Sequence, residues 1–131
     1  MTLQLDAIDC TLLEILQEDA RLTNAELARR VELSATGVHK RLRRLEEAGV
    51  IARYVAVVDR EVVGYDMLCF VQVSLQLHRL ESVEAFRAAI RDMPEVQECH
   101  HVTGEYDYLL KVVVRNRKEL EHLLMEELEL P

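Results

Sequence analysis

Apolar residues recur at intervals of three and four through the first third of the chain. Beyond it they alternate or gather in short unbroken runs. Leu5, Ile8, Leu12, Ile15 and Leu16 fall on one stripe, which predicts an amphipathic helix over Asp6–Glu18. Asp6 stands just before the run, where its carboxylate can accept from the free amides of a first turn. Thr23-Asn24-Ala25-Glu26 has capping-box spacing, with Leu27, Ala28 and Val31 behind it. Glu32 and Leu33 break that short second helix. Ser34 is the next N-cap. Val38, Leu42 and Leu45 share a face of a third helix, which stops at Gly49.

Val50 to Val58 is apolar, β-prone and partly alternating, which predicts a strand leaving the helical unit, with Asp59–Gly64 as a turn or hinge. Met67–Leu75 predicts a strand. Ser82 is expected to cap a helix carrying Val83, Phe86, Ala89 and Ile90, ended by Pro94. Val96–Thr103 predicts a second strand, Gly104–Asp107 a turn and Tyr108–Val114 a third strand. Asn116 is placed to cap a last helix, with Leu120, Leu123, Leu124 and Leu128 on one face. The order is β-α-β-β-α. A ferredoxin-like fold needs one more strand, expected just where the sequence reaches Pro131.

Charge sharpens this division. The 131 residues carry a formal net charge of -8, which argues against an indiscriminate polyanion binder. Residues 1–60 hold ten acids and nine Lys or Arg, a net of -1, whereas residues 61–131 hold fourteen and seven, a net of -7. Within the nearly neutral part, His39-Lys40-Arg41-Leu42-Arg43-Arg44 has four formal positive charges and no acid. Such a run is either a solvated helix face or a polyanion contact, and its surroundings must decide. Here a short helix, a tight turn and a basic helix make a helix-turn-helix arrangement. An α-helix fits the major groove of B-DNA, and its N-terminal amides suit phosphate. Ser34, Ala35, Thr36 and Gly37 form that N-terminal turn. Lys40, Arg43 and Arg44 supply charge along it. Arg41 lies three residues after Val38, so its stem is expected to pack inward while its head pairs or snorkels.

Other chemistry finds little support. Cys10, Cys69 and Cys99 form no CxxC pair or disulfide framework, and read as buried thiols of a reducing compartment. The N-terminus lacks the pattern of a signal peptide, and no run approaches the roughly 18 apolar residues of a membrane span, so a cytoplasmic location is expected. His100 and His101 adjoin Cys99, but alternation along a strand turns His100 away from the other two, and no second ligand cluster completes a metal site. Glu105 and Asp107 have no nucleophile or cofactor loop beside them. No catalytic residue, metal or cofactor is expected. The turn at Gly104 supports two readings. Asp107 could accept from an amino acid's ammonium while amides beside Gly104 hold its carboxylate; equally, Thr103-Gly104 is a plain β-turn whose amides Asp107 satisfies.

Three stretches together resemble the Lrp/AsnC, or feast/famine, family of transcriptional regulators. They are Leu5-Asp6-x-x-Asp9-x-x-Leu12-Leu13, Leu33-Ser34-x-Thr36-x-Val38-x-x-Arg41-Leu42-x-x-Leu45-Glu46-x-x-Gly49-Val50-Ile51, and Val102-Thr103-Gly104-x-Tyr106-Asp107-Tyr108-Leu109-Leu110. The resemblance spans essentially the whole chain. It implies an α+β protein: a winged helix-turn-helix domain over residues 1–51, a linking strand and hinge over 52–64, and a ferredoxin-like αβ-sandwich over 65–131 that oligomerises and senses amino acids. A complete member would continue past Leu130-Pro131 with a final strand. The implied function is promoter-DNA binding by homodimers that commonly assemble to octamers, modulated by a free amino acid at subunit contacts. The DNA-reading set expected from residues and resemblance together is Ser34, Thr36, Gly37, Val38, His39, Lys40, Arg41, Arg43 and Arg44. The family usually has a proline or hydroxyl residue where Gly37 stands. The effector turn is Thr103, Gly104, Glu105, Tyr106 and Asp107. The alternative function is an effector-independent architectural or protein-interaction oligomer.

Overall fold

The computed structural model describes residues 3–75 and 80–127. The chain divides into two compact units, 1–57 and 58–131.

The first unit is three helices, α1 (Ala7–Glu18), α2 (Asn24–Val31) and α3 (Ala35–Glu47). Each begins where its local chemistry says it should. Asp6 and Thr23 both close full capping boxes, with Asp9 and Glu26 as the reciprocal acids, and Ser34 Oγ accepts from the Gly37 amide at 3.0 Å. α3 ends in a Schellman motif. Gly49 takes φ 77°, its N–H donates to the Glu46 carbonyl, and the Val50 N–H reaches back to the Leu45 carbonyl at 2.9 Å. Leu12, Leu27, Ala28, Val38 and Leu42 form the buried core, with Ile8, Ile15, Leu16, Val31 and Ile51 packed around it.

The turn between α2 and α3 carries a strained residue. Glu32 sits in the left-handed region (φ 56°, ψ 43°), while the Leu33 N–H bonds the Ala28 carbonyl at 3.0 Å. A side chain there costs about 1–2 kcal/mol that glycine avoids. Glu32→Gly is therefore expected to raise stability by up to about 1 kcal/mol, the larger backbone entropy of glycine in the unfolded chain offsetting part of the gain. Urea unfolding would check it, and a loss of stability would show that the Glu32 side chain has a stabilising role.

The second unit is a three-stranded antiparallel sheet backed by helices: β1 (Met67–Val73), α4 (Leu80–Arg91), β2 (Val96–His101), β3 (Tyr108–Val114) and α5 (Arg117–His122), which runs into a π-helical turn, Leu123–Glu127. The strand order is β1-β3-β2. β3 alternates strictly: Tyr108, Leu110, Val112 and Val114 are buried, and the residues between them only partly so. The buried set meets Phe86, Ile90, Met93 and Leu123 in one core.

Some expectations needed correction. The strand over Val50–Val58 does not form, because a strand exists only by pairing and nothing among the described residues pairs with this segment. Val55, Val57 and Val58 are left 64%, 95% and 62% exposed. The turn that follows does form, with Asp59 Oδ1 accepting from the Glu61 and Val62 amides. Ser82 lies inside α4 and does not cap it. β1 and β2 each end two residues early. Leu124 is 38% exposed, off the inward face that buries Leu123, and Leu128 lies outside the described residues. Cys10 and Cys99 are exposed, not buried.

Candidate DNA-reading helix and sensing turn

α3 presents four distinct sides. Val38, Leu42 and Leu45 point into the core. Val38 is 0% exposed, so it offers no surface to a base, and its expected contact with DNA is withdrawn: the same periodicity that made it apolar had already assigned it to the core stripe. His39, Arg43 and Glu46 border an open groove of about 270 Å³, whose other walls include Leu16, Leu27 and Tyr54. The Tyr54 hydroxyl donates to Glu46 Oε1 at 2.8 Å, and burial, followed by that carboxylate, pushes the phenol up to about 12. Ser34, Thr36, Lys40 and Arg43 are exposed. Arg43 spans to Glu47 at 3.3 Å, both side chains mostly in solvent. Gly37 leaves little room beside the cap, since a Cβ there would lie 3.2 Å from Ser34 Oγ.

The fourth side is Arg41 and Arg44, one turn apart, and both reach back to the start of α1. Arg41 Nη1 donates to Asp6 Oδ2 at 2.6 Å and to Asp9 Oδ1 at 3.0 Å; Arg44 Nη2 donates to Asp9 Oδ2. The Asp6 amide also donates to Asp9 Oδ2, at 3.1 Å. Arg41 holds the Asp6 carboxyl below its ordinary value of 3.8, and Asp6 and Asp9 in turn hold the guanidinium of Arg41 up. Of the two fates expected for the Arg41 head, pairing and snorkelling, it pairs. These two cations are already compensated within the unit, which sets them apart from Lys40 and Arg43.

The sequence placed Asp9 in the opening-helix motif without showing its role as the one buried charged residue among those described. One signal was present. Position 9 lies three residues before Leu12 at the margin of the apolar stripe, and an acid there must be paired if it is buried.

In the second unit the turn after β2 is tied to the end of β1. Gly104 takes φ 116°, a conformation side-chain-bearing residues rarely adopt. The Asp107 amide donates to the Val73 carbonyl at 3.0 Å, its carbonyl accepts from Val102 N–H at 3.0 Å, and its Oδ2 accepts from Leu75 N–H at 2.7 Å. Asp107 thus staples two strand ends, and the amide its carboxylate satisfies is that of Leu75 beyond β1. Thr103, Glu105 and Tyr106 are exposed around it. His101 stacks on Tyr108 at 5.1 Å, and no metal-ligating group of three is present among the described residues. No helix among them is long and apolar enough to cross a membrane.

Comparison with known proteins identifies both units. Residues 5–52 match the winged helix-turn-helix DNA-binding family, and residues 68–131 match the Lrp/AsnC ligand-binding domain. The chain is 42% identical over 125 residues to the leucine-responsive regulatory protein of Rhizobium meliloti, covering 95% of this chain and 80% of that one. It is 40% identical over 124 residues to the protein of the same name in Escherichia coli K12, covering 95% and 76%. A Neisseria meningitidis transcriptional regulator solved with L-methionine superposes with a TM-score of 0.92 at 38% identity, covering 95% and 80%. Escherichia coli AsnC superposes at 0.87 with 29% identity, covering 97% and 84%. A basic helix presented by a capped helix-turn-helix and an αβ unit of the ligand-binding type, matched together over nearly the whole chain, make it a member of the Lrp/AsnC family of transcriptional regulators, and not an enzyme.

Proposed function

We propose that the chain binds promoter DNA through the exposed side of α3 and changes its assembly or DNA affinity on binding a free apolar amino acid, leucine or methionine, at the Thr103–Asp107 turn. The carrying observation is the asymmetry of α3. One side is core, one is paired to α1, and the remainder exposes hydroxyls at the helix start with Lys40 and Arg43 behind them. Ser34, Thr36, Gly37, His39, Lys40 and Arg43 form the reading set. Leucine and methionine are chosen because relatives are named leucine-responsive and a structural neighbour holds L-methionine. Thr103 and Glu105 flank Gly104, whose open backbone suits a carboxylate.

The outer face of the sheet supports assembly. Leu68, Phe70 and Gln72 of β1 lie opposite Val113, Lys111 and Leu109 of β3 and share the face turned away from the helices. Phe70 is 63% exposed there. Burying this face against a second copy makes a homodimer, which assembles further, to octamers, as the family resemblance implies. Work on DNA and three unpaired cysteines fit a cytoplasmic setting.

The staple from Asp107 to Leu75 favours a second reading, in which the turn is structural and the oligomer is architectural. Calorimetric titration of the whole protein with each of the twenty amino acids separates the two. Saturable heat with leucine or methionine, lost in Gly104→Val, supports sensing. Silence from all twenty, with light scattering unchanged, overturns sensing and leaves the architectural reading.

A further inference from the structure

We infer that Asp9 is a specificity-determining residue of the DNA-binding unit: it withholds Arg41 and Arg44 from DNA phosphate, so that contact rests on the reading side of α3. This deepens the proposal that α3 binds DNA and rests on it.

Asp9 is fully buried on α1, yet its carboxylate accepts from the Asp6 amide and from two partly exposed guanidinium groups, Arg41 and Arg44. It plays two parts at once. As the third residue of α1 it closes the capping box on the Asp6 amide, and the same carboxylate takes one guanidinium on each oxygen. Asp6 adds a second acceptor for Arg41. The basic run of α3 is thus split. Arg41 and Arg44, 27% and 48% exposed, face two carboxylates; among the described residues Arg43 pairs only with Glu47, across solvent. An exposed pair like Arg43–Glu47 is worth little and exchanges readily for phosphate. A guanidinium on a buried carboxylate does not, because releasing it strands a buried charge.

The consequence concerns discrimination. Phosphate contact carries no sequence information and adds equally to every duplex. Cations free to reach phosphate raise binding to all DNA and dilute the share contributed by Ser34, Thr36 and their neighbours. Holding two of them down keeps non-specific binding low, and locking α3 to the start of α1 keeps its reading side in one orientation.

The test measures binding against salt for the full-length protein on two duplexes, one of random sequence and one selected by the wild type from a random pool. Asp9→Asn keeps the shape, removes the charge and releases Arg44, whereas Arg41 keeps its second carboxylate, Asp6. The expected result is tighter binding to random DNA, with a log–log salt slope steeper by about 0.9 for each arginine that reaches phosphate, and a fall in the selected-to-random affinity ratio. A merely structural role would weaken both duplexes and steepen neither slope. Arg44→Gln keeps the proposal testable should Asp9→Asn fold poorly, since its side chain is half-exposed. On the wild-type background it should leave the slope unchanged, and a slope shallower by about 0.9 would mean that Arg44 already neutralises a phosphate, which overturns the proposal. Arg43→Ala separates the two failures. A shallower slope in Arg43→Ala with no steepening in Asp9→Asn overturns the withholding alone. Unchanged slopes in all three variants overturn reading by α3, and the withholding with it.

Discussion

Phe86→Ala is expected to destabilise the second unit by about 3–5 kcal/mol and to unfold it under conditions where the first unit remains folded. The ring is 1% exposed and lies 4.8 Å, centroid to centroid, from Tyr108, tilted by 39°. It is the largest fully buried side chain described and sits where α4 meets the buried side of β3. Truncation removes the transfer energy of the ring, the aromatic contact and the packing of Ile90, Leu110 and Val112 around it. A small domain has roughly 5–15 kcal/mol in hand, so the loss is a large fraction of the total. The core of the first unit is a separate cluster built on Leu12, Leu27 and Val38. Calorimetry should therefore show one transition falling sharply and the other staying in place. Amino-acid binding at the turn proposed to sense it should vanish with the displaced transition, because Tyr108 begins the strand that follows that turn. A change below about 1 kcal/mol would mean that the core is not organised around this ring.

Local chemistry was legible in the sequence and distant chemistry was not. The three helix starts were readable because each cap spans three residues, from Asp6 to Asp9, Thr23 to Glu26 and Ser34 to Gly37. β3 was readable to the residue because Tyr108–Val114 is a short apolar run rich in Leu and Val behind a turn, while its strict alternation of burial appears only in the fold. The segment Val50–Val58 misled because its composition is right for a strand, while strand formation depends on a partner that composition cannot supply. Asp9 escaped for the same reason. Its partners lie 32 and 35 residues away, as does Leu75 from Asp107 at 32. Arg41 and Arg44 looked equivalent to Arg43 in a basic run, and only the packing of α1 against α3 tells them apart. Val38 shows the opposite failure: its helical period already placed it inside, and a resemblance at the level of motif letters pulled it outward.

Replacing both Lys40 and Arg43 by alanine is expected to weaken binding to the selected duplex about 100-fold at low salt, taking about 1.5 kcal/mol for each lost charge-assisted contact. The two are three residues apart on α3, hence neighbours on one side of the helix, and both are exposed. Among the described residues Arg43 pairs only with Glu47, and both side chains are largely in solvent. Two fewer phosphates neutralised should make the salt slope shallower by about 1.8, so the variant and the wild type should converge as salt rises. Charge alone offers a competing account, because the substitutions also make an already acidic protein two charges more negative. Arg117 and Lys118, both exposed on α5, provide the control. Replacing that pair changes the net charge equally and should leave the slope where it was, since the slope counts phosphates neutralised and not the net charge of the protein. An equal fall in slope from the α5 pair would assign the effect to the field of the whole protein. A fall confined to Lys40 and Arg43 assigns it to α3, and makes the basic run of this acidic protein a local surface divided between contact and restraint.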